Sequence, residues 1–201
     1  MGVGRVGSWS GMGMTTLDVA SQDRHSDVVE SSPNRDDNEN VLDYGRDSLL
    51  NASGQGDVHT VRSLLGRGAD GNERDASNQT PLHWASREGR LEVAKLLIEH
   101  GGDVNSRSKA GWTPLHEASR YGHFDVARLL LDQGANVDAQ QQDLWTPLHL
   151  ASHNCHLEIV KLLLERGANV RVRNGEGLTA SQLASSGGRE IVRLFSEYGV
   201  H

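Results

Sequence analysis

The stretch HLASHNCH, from His149 to His156, gathers the side chains of this sequence best suited to chemistry. His149 and His153 stand four residues apart, a spacing that sets two imidazoles on one face of a helix. Cys155 and His156 add a thiol and a third imidazole. Zinc takes nitrogen and sulfur ligands, and a thiolate beside a histidine is the pairing of a cysteine nucleophile. Two observations count against both readings. His149 recurs as His83 and His116 at intervals of 33 residues, and a residue repeated on a ruler serves the repeat rather than one site. His156 takes the place that His123 holds in YGHF, which leaves His153 and Cys155, too few for a tetrahedral metal. Cys155 has no free base with a third group to orient it, and no glycine-rich phosphate loop follows a strand signal. No enzyme, no metal and no cofactor are expected; a metal or catalytic site around Cys155 is the remote alternative.

The elements that would position these residues are written in the repeat. TPLHWA begins at Thr80, TPLHEA at Thr113 and TPLHLA at Thr146, with LTASQLA around Thr179 and DSLLNA from Asp47 as outer copies. Threonine before proline starts a helix: the hydroxyl accepts from a free first-turn amide, and proline lacks only an N–H that this position does not need. Gly56, Gly89 and Gly122 are placed to end the first helices, each about two turns long, in the left-handed conformation. Second helices follow in LEVAKLLIEHG, FDVARLLLDQG and LEIVKLLLERG, closed by Gly101, Gly134 and Gly167. Their apolar residues fall on one face, as Leu91, Ala94 and Leu97 do, and two short helices cannot bury such a face alone. Stacking the copies does. The polar or glycine-containing segments DASNQ, SKAGW, QQDLW and NGEGL are read as hairpin-like loops along one edge.

On these residues the chain resembles the ankyrin repeat proteins. TPLHWASREGRLEVAKLLIEHGGDVN, Thr80 to Asn105, follows that family's pattern almost throughout, and ANVD and ANVR close the next two copies. The resemblance implies an all-α solenoid of stacked helix-turn-helix pairs joined by hairpin loops. It implies that first helices and loops line a concave face, and that the TPLH histidines bond within and between repeats. Residues 43–201 are assigned to it: a cap at 43–76, full repeats at 77–109, 110–142 and 143–175, and a second cap at 176–201. Leu144 and Cys155 stand where the pattern has glycine, so blunter turns are expected there. The implied role is that of a non-enzymatic interaction module, an adaptor, scaffold or inhibitor that binds a partner protein or peptide through the concave face and loops.

Residues 1–42 carry seven acids against three bases and no apolar period, and are expected to be a disordered tail. The whole chain has a net charge of −7, which opposes a phosphate backbone and excludes nucleic acid as the expected partner. A single cysteine favours a reducing compartment, cytoplasmic or nuclear. There is no run long enough to span a membrane, no apolar signal core at the start, and Val6 stands where a myristoylation signal has Ser or Thr, so no membrane partner is expected. A monomer is expected. One local charge excess, Arg166, Arg171, Arg173, Arg189 and Arg193 against Glu176 and Glu190, supports an alternative in which this end binds an acidic peptide and the acidic tail competes for it.

Positions that vary while the framework repeats are free to serve binding. They hold Trp112 and Trp145 before the threonine, Trp84 and Glu117 after the histidine, and Arg87, Arg120, Tyr121 and His153 toward the end of the first helix. Trp, Tyr and Arg dominate binding energy at interfaces, so these eight residues are the candidate partner-binding set.

Overall fold

A computed structural model describes residues 48–184 and 188–198. The expectations for the 1–42 tail, and for Asp47 as the first cap, lie outside them. Ten helices are found among the described residues: α1 Leu49–Gln55, α2 Val58–Gly66, α3 Pro81–Arg87, α4 Leu91–Glu99, α5 Pro114–Tyr121, α6 Phe124–Asp132, α7 Pro147–His153, α8 Leu157–Glu165, α9 Ala180–Leu183 and α10 Arg189–Glu197. Odd-numbered helices pack in order along one row, even-numbered helices along another, and each odd helix packs on the even one that follows it.

The Thr-Pro signals work as their chemistry requires. Thr113 and Thr146 accept the amides of His116 and His149 at their hydroxyls, while the histidine Nδ1 atoms accept the amides of Thr113 and Thr146 in return. This is a capping box with histidine in the reciprocal position. In α1 the cap is Ser48, whose hydroxyl accepts from Asn51 N, one residue later than a strict 33-residue count from Thr80 would place it.

The interior is thin and built from small and medium side chains. Leu82, Leu115 and Leu148 share one register with Ala85, Ala118 and Ala151, all essentially inaccessible; Ala94, Leu97, Ala127, Leu130, Val160 and Leu163 repeat this in the second row. Alanine at the crossings lets neighbouring helices approach closely, so short elements bury a large share of their surface.

Both glycine substitutes keep the turn. Leu144 has φ 59° and Cys155 φ 60°, matching the left-handed glycines at Gly111 and Gly122, so neither turn is blunted. A Cβ built on Gly89 or Gly122 would meet the ring of His123 or His156 at 2.5 and 2.7 Å. These histidines are the N-caps of α6 and α8, and the N-cap of α10 is Gly188, which has no ring to lay over Cys155.

The loops are tight hairpins. In each, the first residue's amide donates to the carbonyl four residues on: Asp75 to Gln79, Ser108 to Trp112, Gln141 to Trp145 and Asn174 to Leu178. Successive tips join through the main chain, Lys109 N to Ser77 O at 2.9 Å, Gln142 N to Ala110 O at 3.0 Å and Gly175 N to Asp143 O at 2.7 Å.

Candidate protein-interaction face

Each buried TPLH histidine links its own cap to the next hairpin. Nδ1 accepts a backbone N–H, so Nε2 carries the proton and donates to a carbonyl: His83 to Trp112 at 3.0 Å, His116 to Trp145 at 3.0 Å and His149 to Leu178 at 3.2 Å. Burial depresses all three pKa values, that of His116 to about 4, so the rings are neutral at physiological pH. His123 and His156 donate from Nε2 to the carbonyls of Arg87 and Arg120. In HLASHNCH, both nitrogens of His149 and one of His156 are therefore committed to the stack, and Cys155 is exposed. No group of three or more potential metal ligands converges among the described residues.

By fixing the hairpins against the first helices, this histidine row also aligns the side chains at the helix ends. Five of the eight predicted residues meet in one ladder. The Arg87 guanidinium lies 5.5 Å from the centroids of both the Trp84 and Tyr121 rings, and that of Arg120 lies 5.2 Å from Trp112 and 5.5 Å from Tyr121. Tyr121 is thus in cation–π contact with two guanidiniums, each of which also contacts a tryptophan, an arrangement worth about 0.5–1 kcal/mol per pair at an exposed site. Arg87 Nη2 also donates to the Tyr121 hydroxyl at 3.2 Å, and Trp84 Nε1 donates to Asp75 Oδ2 at 3.2 Å. Tyr121 remains 39% exposed.

Trp145 and His153 form a separate pair one repeat on, edge to face at 5.6 Å, with His153 exposed and Trp145 half-buried. Glu117 departs from the expectation of an outward contact. It is 4% exposed, accepts from Gln79 Nε2 at 3.2 Å, and its carboxyl is pushed above the usual range by burial, with Arg87 and Arg120 opposing part of that rise. Beside these groups is a cleft of about 350 Å³ whose lining includes Ser77, Lys109, Arg87, Arg120, Tyr121 and Glu117.

Two residues of this region escape a reading by residue type. Lys109 sits on a hairpin tip and is part of the cleft lining, though nothing in SKAGW separates it from an ordinary surface lysine. Leu144 is 46% exposed in a strained left-handed conformation; its one sequence signal is a side chain where neighbouring copies have glycine.

The arginine-rich end is differently arranged. Arg166 pairs with Asp132 at 2.8 Å, Arg173 donates to Gly177 O at 2.6 Å and Arg193 lies 3.7 Å from Glu197. Much of its cationic capacity is engaged within the chain.

Capped helix pairs stacked in two rows, joined by tip-bonded hairpins and with varied side chains along one row, define a helical repeat protein. Residues 49–141 match the family of ankyrin repeats in three copies, and residues 130–184 match ankyrin repeats in many copies; the chain belongs to the ankyrin repeat family. It is also similar to Protein VAPYRIN-LIKE of Medicago truncatula, at 41% identity over 74 residues, which is 37% of this chain and 14% of that protein. This chain therefore matches only about one seventh of the length of that relative. Ankyrin repeats are in general protein–protein interaction modules. No helix among the described residues is long and apolar enough to cross a membrane.

Proposed function

We propose that the chain is a non-enzymatic adaptor, scaffold or inhibitor that binds a partner protein across its concave face, with the hairpin tips at the rim. The ladder Trp84, Arg87, Tyr121, Arg120 and Trp112 carries this reading. Large aromatic and arginine side chains held in one geometry before binding lose little entropy on contact, which is the physical profile of interface hot spots. Leu144 supports it. A left-handed leucine costs about 1–2 kcal/mol relative to an unstrained backbone, and this one spends the cost on an apolar side chain in water. Cytoplasm or nucleus is the compartment in which an exposed Cys155 would stay reduced.

Affinity capture from a cell extract tests the reading, with the full chain and its Arg87→Ala/Tyr121→Ala variant as baits of equal helicity by circular dichroism. A protein held by the first and lost from the second is the expected outcome. Equal retention by both baits would move the binding surface elsewhere.

A further inference from the structure

We propose that the cleft between the hairpin tips and the ends of α3 and α5 receives an acidic segment of the partner protein, a carboxylate lying across Arg87 and Arg120 beside Lys109. This rests on the reading of the face as the partner-binding surface and adds the chemistry of what it binds.

Cation–π contact with Tyr121 holds both guanidiniums at one ring, each 5.5 Å from its centroid, and leaves N–H groups of both available as donors. Among the described residues, Arg120 has neither a hydrogen-bond nor an ion-pair partner for its guanidinium, and Arg87 has only the Tyr121 hydroxyl. Elsewhere exposed cations are paired where an acid is in reach, as with Lys95 and Glu92 or Lys161 and Glu158. Lys109 is exposed on its tip, while its backbone is pinned by bonds to Ser77 O and from Gln142 Nε2. Three cations therefore line one cleft, and among the described residues none of them has an ion-pair partner.

Glu117 is the one acid of the cleft lining, and it lies buried and bonded to Gln79. The lining carries a positive excess on a chain whose total charge is −7. Planar guanidinium edges match a carboxylate in two parallel hydrogen bonds, and Trp112 and Tyr121 supply apolar cover for the methylenes behind it. A cationic partner group would meet three like charges in the same lining against the one buried acid.

Fluorescence anisotropy of the full chain at about 20 mM salt tests this, with labelled decaglutamate, decalysine, a Gly-Ser decapeptide and a ten-nucleotide oligothymidylate as probes. Decaglutamate is expected to bind and the other three not. Arg120→Gln is expected to weaken decaglutamate about tenfold, as loss of a charge-assisted contact does. Lys109→Glu, at an exposed residue, is expected to weaken it at least as much. Glu117→Gln should tighten decaglutamate several-fold, since it removes the opposing charge.

Failure of decaglutamate to bind would overturn the proposal, as would equal or tighter binding of oligothymidylate, weaker binding in Glu117→Gln, or indifference to both Lys109→Glu and Arg120→Gln. Loss of the captured protein from the Arg87→Ala/Tyr121→Ala bait, together with no decaglutamate binding, would reject the acidic ligand and leave the binding face standing. Retention of that protein by the variant bait would reject the face itself and this inference with it.

Discussion

His116 concentrates the consequences of burial at the scale of a single residue. Its pKa falls from an ordinary 6.5 to about 4 because burial penalises the charged ring. An unfolded chain therefore binds a proton below pH 6.5 that the folded chain refuses. The stabilisation is complete above 6.5 and is lost as pH falls toward 4, by roughly 3 kcal/mol for a fully realised shift. His83 and His149 shift in the same direction. Urea midpoints measured from pH 7.5 to 4.5 should fall steeply, and His116→Gln should shallow that fall even though it lowers stability at neutral pH. Glu117 has the opposite sign: an acid raised by burial takes up its proton at a higher pH in the folded chain than in the unfolded one, so its contribution grows as pH drops, and Glu117→Gln should steepen the fall. The glycine positions make a second contrast. Gly89→Ala would set a Cβ 2.5 Å from the His123 ring at φ 68°, and thermal unfolding should report a loss of about 2–4 kcal/mol. Cys155→Gly, where no ring intrudes, should gain up to about 1 kcal/mol. Sequence spacing announced the histidines. It did not announce that Glu117 is buried, because a charged residue at a variable position reads as an outward one until the arginines above it are seen.

Among elements, the clearest irregularity lies in the bonds between successive loops. Asn72 and Asn105 each donate Nδ2 to a glycine carbonyl of the next repeat, Gly101 and Gly134, while Oδ1 accepts the amides of Asp103 and Asn136. Asp138 occupies the next place and accepts from Asn169 N, but a carboxylate has no proton to give Gly167 O. Asp138→Asn should restore that bond and raise the unfolding free energy by about 1 kcal/mol, read from the urea midpoint at unchanged slope. Loop chemistry sets a different test at Leu144. Glycine there would release the left-handed strain and stabilise the stack by up to about 1 kcal/mol, while weakening retention of the captured partner if the exposed leucine makes contact. Helix starts, stops and burial faces were legible because each has a local cause: a Thr-Pro cap, a glycine, a 3.6-residue period. The Trp84, Arg87, Tyr121 ladder was legible only as a set of residue types, since the Arg87–Tyr121 contact that joins it spans 34 residues across a repeat boundary.

For the molecule as a whole, stability is a sum over neighbours, and the ends have one neighbour each. α9 is four residues long, lacks the proline and histidine of the inner first helices, and is capped instead by Thr179 with Gln182. Amide hydrogen exchange in α9 and α10 should therefore run at least about tenfold faster than in α5 and α6. Repetition was the most legible property of all, because a 33-residue ruler is visible without any knowledge of contacts. The partner was the least legible, because varied side chains specify a surface and not its ligand. The three boundaries that separate the pairs α3–α4, α5–α6, α7–α8 and α9–α10 are each crossed at a hairpin tip and through a histidine, and an asparagine side chain adds to the first of them. Under tension between its ends such a chain behaves as a row of similar fasteners. A force trace should show successive ruptures spaced by the contour length of one repeat, ~11 nm for 33 residues. The weak α9–α10 end should open first, so the module yields by lengthening stepwise while its middle, with the aromatic ladder, stays folded.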